Sequence, residues 1–169
     1  MNTVLKLYPH AELHLAGKNN LILGNERYQD FLSGLLSDEL LQRVKFLGPL
    51  DREKELFPLL SSAEVCCYPS YSEAFALAPL EAMAMGKAVV FTKLSSGPEA
   101  IVHGESGLLC DPKNPSDIAK NIIKLLENKS ATDQLRVKAR SRIENNFSYP
   151  EWLQKNIHCY KGVSISNEF

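Results

Sequence analysis

The chain has no run of about 18 uncharged apolar residues, the length a helix needs to cross a bilayer, and its N-terminus lacks the basic-then-apolar pattern of a secretory signal. A cytoplasmic, reducing setting is the expectation that follows. Net charge is almost absent too: 19 Lys plus Arg stand against 20 Asp plus Glu, a formal balance of -1. Nucleic acid and anionic lipid are held by clustered Lys and Arg, so neither is expected as a partner, and any polyanion site must be local. Cysteine is scarce. Cys66 and Cys67 are adjacent in an apolar run, and no pair among these, Cys110 and Cys159 has metal-ligand spacing, which predicts free, buried thiols. There is no Asp-x-Asp pair, so neither a metal nor another cofactor is expected. No strand is followed by G-x-G-x-x-G, which argues against a dinucleotide oxidoreductase. Internal repeats and low-complexity tracts are also missing.

What is present is one domain's worth of chain: 169 residues, 44% hydrophobic and 23% charged. Short apolar runs alternate with helical periodicity throughout, the pattern of an α/β fold in which helices cover both faces of a doubly wound parallel sheet. Strands are predicted at 11–16, 44–47, 65–69, 88–92 and 107–110, with Gly17 and Gly48 closing two of them. Ser37 reads as the N-cap of a helix through Leu40 and Leu41. Asp51 reads as the cap of another, which Pro58 breaks or restarts before Leu59 and Leu60 face the sheet. Ile118, Ile122, Leu125 and Leu126 form an amphipathic stripe behind a cap at Asn114 or Ser116. Leu135, Ala139, Ile143 and Phe147 form a second, and Trp152, Leu153, Ile157 and Tyr160 a third. The division expected is a Rossmann-like domain over 1–147, a closing helix over 148–161 and a loose tail over 162–169.

The chemically informative stretch is residues 68–86, YPSYSEAFALAPLEAMAMG, which joins a buried strand to a helix. In a doubly wound sheet, ligands sit beyond the carboxyl ends of the strands, where this junction lies. Pro79 is tolerated only in the first helical turn, so the helix starts near Ala76 to Ala78 and leaves the N–H groups of Phe75, Ala76 and Leu77 free. Orphan donors at the positive end of the helix dipole suit a phosphate without help from Lys or Arg. Glu73 and Glu81 flank that end with seven residues between them. A carboxylate accepts two hydrogen bonds from vicinal hydroxyls, so phosphate donors with an acid on either side match a sugar–diphosphate–ribose ligand, and both acids are expected to line one cavity. Taken singly, Glu81 is an acid stabilised by the helix dipole, and Glu73 is a surface residue. Met83 and Met85 are packing residues, and His10, His14, His103 and His158 lack a spaced partner acid or Cys.

Residues 70–86 resemble the acidic motif of the retaining GT-B glycosyltransferases of family 4, two Glu with seven residues between in a Leu-Glu-Ala-Met-Ala frame. The resemblance continues through Ala88 to Thr92, Gly97-Pro98-Glu99-Ala100-Ile101, Gly104 to Leu109 with Asp111-Pro112, and an aromatic-rich closing segment at 145–161. It implies the donor-binding C-terminal half of such an enzyme, moving a sugar from a nucleotide-diphosphate sugar to a saccharide or lipid-linked acceptor, as in bacterial polysaccharide or glycolipid assembly. It gives Glu73 a catalytic place near the 3- and 4-hydroxyls of the donor sugar and Glu81 the ribose diol. Ser72, Ala74, Phe75, Ala76 and Leu77 would line the sugar and diphosphate, with the base beside Gly48, Pro49 and Leu50. Glu99 is a weaker candidate on the ligand side.

Two departures from the family pattern stand out. Ala76 replaces the usual Gly, and its methyl is expected to narrow donor choice or weaken binding. The family's first strand, a Gly-Arg turn, a Lys and the whole acceptor-binding half are not matched, so the chain reads as truncated at its N-terminus. Lys6 falls at the wrong end of its helix to replace that Lys. The missing acceptor domain is then the expected partner in cis, and the only route to peripheral membrane contact. In the 3-2-1-4-5-6 strand order, 11–16 and 65–69 would flank an empty slot about 9 to 10 Å wide. The isolated chain is expected at best to bind donor, and to transfer little or nothing. The alternatives are a catalytically incompetent nucleotide-binding or interaction module, and a nucleotide-sugar epimerase of the same architecture, for which no acid–base groups are identified.

Overall fold

The computed structural model describes residues 2–18, 22–23 and 26–162. Helix α1 (Asn2–Leu7) leads into β1 (Leu13–Ala16), a short antiparallel pair β2 (Ile22–Leu23) and β3 (Glu26–Arg27), then α2 (Tyr28–Gly34), α3 (Asp38–Leu41) and β4 (Val44–Gly48). A π-helical turn (Arg52–Leu56) runs into α4 (Phe57–Ser62), β5 (Val65–Tyr68), α5 (Leu77–Ala84), β6 (Ala88–Thr92), α6 (Gly97–Ala100) and β7 (Leu108–Cys110). Three helices follow: α7 (Pro115–Glu127), α8 (Lys129–Asn146) and α9 (Tyr149–Gly162).

The α/β architecture with parallel strands and helices is as the sequence implies, and strand 88–92 matches residue for residue. The parallel strands form two sheets. β1 pairs with β4, Leu13 opposite Val44 and Leu15 opposite Phe46. β5, β6 and β7 pair in that order, Val65 opposite Ala88 and Val90 opposite Leu108. Among the described residues β1 pairs only with β4 and β5 only with β6, so the strands predicted to flank a slot share no neighbour.

Side chains alternate along a strand, and β6, buried at every position, therefore feeds two cores. Val89 and Phe91 pack with Leu60 of α4, Leu80 and Met83 of α5 and Ala139 of α8. Ala88 and Val90 pack with Val4 of α1, Ala119, Ile122 and Leu125 of α7 and Leu135 of α8. Among the described residues the β1–β4 pair is covered on one face: Leu13, Leu15 and Phe46 meet Leu5 and Leu40, while Glu12, His14, Lys45 and Leu47 are exposed. Helix α1 bridges the sheets, because its consecutive residues Val4 and Leu5 are both buried but belong to different cores. The Arg43 guanidinium secures its end, donating to the carbonyls of Leu5 at 2.8 Å, Tyr8 at 3.1 Å and Pro9 at 3.0 Å. Gly97 meets a different constraint: a Cβ there would lie 1.7 Å from the Thr92 carbonyl oxygen, so α6 can start against β6 only without a side chain.

Three expectations need correction. Ser37 caps α3 by position alone: its carbonyl accepts the first helical bond, from Leu41 N–H at 2.9 Å, but its hydroxyl makes no cap hydrogen bond. The stripe on α9 does not close onto the domain: Trp152, Leu153, Ile157 and Tyr160 all stay exposed, and Trp152 stacks on Tyr149 of its own helix at 5.7 Å. The closing helix runs one residue further than expected, to Gly162, and the rest of the segment expected as a tail, 163–169, lies outside the described residues.

Candidate functional site

Helix α5 is set by its inward residues. Pro79, Leu80, Ala82 and Met83 are buried, which anchors the helix on the sheet and leaves its first turn at the surface, where Leu77 and Ala78 are exposed. Its N-cap is Ala76, which has no side-chain oxygen to offer, and Pro79, third in the helix, has no N–H. The free donors of that end are thus the amides of Ala76, Leu77 and Ala78. Phe75 lies one residue before the cap. Ala76 has φ -83° and ψ 120°, ordinary extended backbone, and packs against the core, so alanine replaces the usual glycine without backbone strain.

The loop before α5 is tied at two points. Ser70 donates its hydroxyl to Glu73 Oε1 at 3.1 Å, fixing one oxygen of that half-buried carboxylate. Phe75 lays its ring against Phe147 at the end of α8, 6.0 Å between centroids and inclined by 43°. Ser72 and Ala74, between these anchors, are exposed.

Glu81 lies one turn into α5, with its side chain 23% exposed. Its Oε1 accepts a hydrogen bond from the Arg52 guanidinium, and the pair is also an ion pair. Nearby, burial pushes the Tyr68 phenol well above its ordinary value, with Cys66 and then the Glu81 carboxylate adding to the shift. The turn after β4 completes the rim. Gly48 has φ +68°, a left-handed conformation that glycine adopts without strain. Its carbonyl accepts from Gly17 N–H at 2.8 Å, and Pro49 has no N–H, so the next main-chain donor along this turn is that of Leu50.

Glu73 precedes and Glu81 follows that helix end, but the free amides lie one residue later than the sequence reading puts them, at Ala76, Leu77 and Ala78 rather than from Phe75, because the helix starts at Leu77. The sequence did not place the cavity. A cavity of about 620 Å³ is lined by Thr3, His103, Asp117, Lys120 and Lys124 and includes neither Glu73 nor Glu81. The expectation of one cavity shared by the two acids is therefore not met there: the loop residues Tyr71, Ser72, Ala74 and Phe75 stand open to solvent and make a shelf. Glu99 is exposed on α6, and its carbonyl accepts from Arg142 at 2.7 Å. Lys6 is exposed in the last turn of α1. Among the described residues no group of three or more His, Cys, Asp or Glu could hold a metal ion, and no helix is long and apolar enough to cross a membrane. Arg52 is the site residue that sequence reasoning missed. Its position directly after the cap at Asp51 was the available signal, but nothing local links it to an acid 29 residues away.

Comparison with known proteins supplies the family. The family described as glycosyl transferases group 1 matches residues 2–143. The chain belongs to it. A curated relative, D-inositol 3-phosphate glycosyltransferase of Corynebacterium jeikeium, is 41% identical over 124 residues, 72% of this chain and 26% of the relative. The C-terminal domain of a glycosyl transferase group 1 protein (LpcC) from Francisella tularensis superposes with a TM-score of 0.77 at 24% identity, covering 87% of this chain and 75% of that one. Anabaena HepE in complex with UDP superposes with a TM-score of 0.76 at 24% identity, covering 92% and 42%. These likenesses establish a GT-B fold for this group 1 chain. It spans about a quarter to a third of the length of curated relatives it matches.

Proposed function

We propose that this chain is the donor-binding part of a retaining, metal-independent glycosyltransferase that takes a nucleotide-diphosphate sugar. The carrying observation is the uncapped N-terminus of α5 standing at the surface between Glu73 and Glu81. The HepE structure, with UDP bound to the same fold, supports the choice of ligand class. The amides of Ala76, Leu77 and Ala78, with that of Phe75 beside them, would face the diphosphate. As the nucleotide leaves, negative charge grows on the β-phosphate, and fixed N–H dipoles stabilise it without reorganisation.

Glu73, with one oxygen already held by Ser70, would present the other to donor-sugar hydroxyls. Glu81 would accept from the ribose diol, and the main chain of Leu50 would read the base edge. Helix dipoles offset only part of a diphosphate's charge, so transfer is assigned to a longer protein that adds cations and an acceptor-binding half. Alone, this chain binds donor and transfers little. Cytoplasmic polysaccharide or glycolipid assembly is the setting that fits a nucleotide-sugar donor.

The test is calorimetric titration of the chain with UDP, GDP and ADP, free and sugar-linked. Hydrogen bonds to a charged group are each worth about 1.5 to 3 kcal/mol, so Glu81→Gln is expected to weaken the preferred nucleotide roughly tenfold to a hundredfold. Glu144→Gln, on the exposed face of α8, serves as the control. No binding of any nucleotide, or equal loss in both variants, refutes the reading.

A further inference from the structure

The Arg52–Glu81 pair has no place in the donor-binding scheme, and its geometry conflicts with it. A vicinal diol engages a carboxylate through both oxygens. Here Oε1 of Glu81 is already held by the Arg52 guanidinium. We propose that Arg52 is an intramolecular competitor of the ribose, a clasp that occupies half of Glu81 until a diol-bearing nucleotide displaces it. The proposal rests on the nucleotide reading of this site.

Three features make a reversible clasp of the pair. Arg52 is anchored at its backbone: Asp51 accepts from the N–H groups of Glu53 at 3.1 Å and Lys54 at 2.8 Å, while Glu55 accepts from Asp51 N–H at 2.8 Å. Residue 52 therefore leaves a fixed point, the first position of a capped turn. Its side chain is 65% exposed, and ion pairs in water hold weakly, so displacing it costs little. The released guanidinium has a second station, since its central carbon already lies 5.4 Å from the centroid of the Phe57 ring. The π-helical turn that carries Arg52 is a rare geometry that recurs at functional sites.

A clasp on the ribose subsite makes a signed prediction that other roles do not. Arg52→Met keeps the aliphatic stem over Phe57 and removes the competing charge. It is expected to tighten UDP by about two- to fivefold, the range for releasing an exposed ion pair. The gain should be smaller for 2′-deoxy-UDP, which lacks the diol. Arg52→Lys keeps a competing cation and should stay close to the unaltered chain. If Arg52 instead aids the diphosphate, Arg52→Met weakens both nucleotides alike. If it serves only the fold, both affinities fall together with the thermal midpoint. Either result, or no change in UDP affinity, overturns the clasp while the nucleotide site stands. If neither the unaltered chain nor Arg52→Met binds UDP, GDP or ADP, the site reading fails and takes the clasp with it.

Discussion

Cys67 and Cys110 show what single residues experience in this fold. Burial pushes the Cys67 thiol up to about 12, with Cys110 adding to the shift, and burial pushes Cys110 up to about 11. The Cys66 thiol is raised too, again mainly by burial, while Cys159 is exposed. The thiolate is the reactive form. At pH 8 a thiol reagent such as DTNB should therefore label one cysteine per folded chain, Cys159, and all four once the chain is unfolded. The sign of the linked pH effect follows. The folded values lie above the ordinary 9.0, so the unfolded chain loses its thiol protons first. Stability tied to these thiols is fully present below about pH 9 and falls as pH rises through about 11 to 12, which urea unfolding at stepped pH would follow. Rapid native labelling of more than one thiol would show that the β5–β7 core is open.

Among the elements, two caps that read alike in the sequence differ in the structure. Asp51 accepts two first-turn amides, whereas the Ser37 hydroxyl makes no cap bond. A side-chain cap contributes about 1 kcal/mol, so Asp51→Ala should cost about that much in urea unfolding. Ser37→Ala should cost no more than a few tenths of a kcal/mol, within the range of ordinary surface changes. The Asp51 change should also disturb the Arg52–Glu81 pair, because the cap fixes where residue 52 starts. Equal costs at the two sites would mean that the Asp51 bonds contribute nothing. Helices α5 and α9 form another contrast. Both carry apolar residues, but α5 buries four of them against the sheet and α9 leaves its stripe exposed. Periodicity announces a helical face and is silent on what, if anything, covers it.

Across the whole molecule, α1 joins two sheets that share no strand among the described residues. Leu5 is 1% exposed and sits in the smaller core with Leu40 and Val44, while the adjacent Val4 sits in the larger one. Removing a fully buried leucine side chain costs about 2 to 5 kcal/mol. That loss falls on a core of few residues, so it should be felt locally. Leu5→Ala is expected to speed amide hydrogen exchange in β1 and β4 well before it affects β6, which is paired on both edges and buried at every position. Uniform acceleration across both sheets would instead show that they open as one unit.

The sequence by itself determined the local items: strand 88–92, the start of α5 ahead of Pro79, the cap at Asp51, and the acids on either side of a helix end; it narrowed the α7 cap to Asn114 or Ser116, and the structure has Asn114. Each is set by residues within a few positions of one another, through side-chain alternation, the missing N–H of proline, or the reach of a short side chain to nearby amides. The tertiary structure alone decided that Arg52 meets Glu81, that the Gly48 carbonyl accepts from Gly17, that the cavity lined by His103 and Asp117 lies away from the two acids, and that the α9 stripe stays exposed. Those outcomes depend on how far-apart segments are brought together by packing and strand pairing, and no local pattern records that.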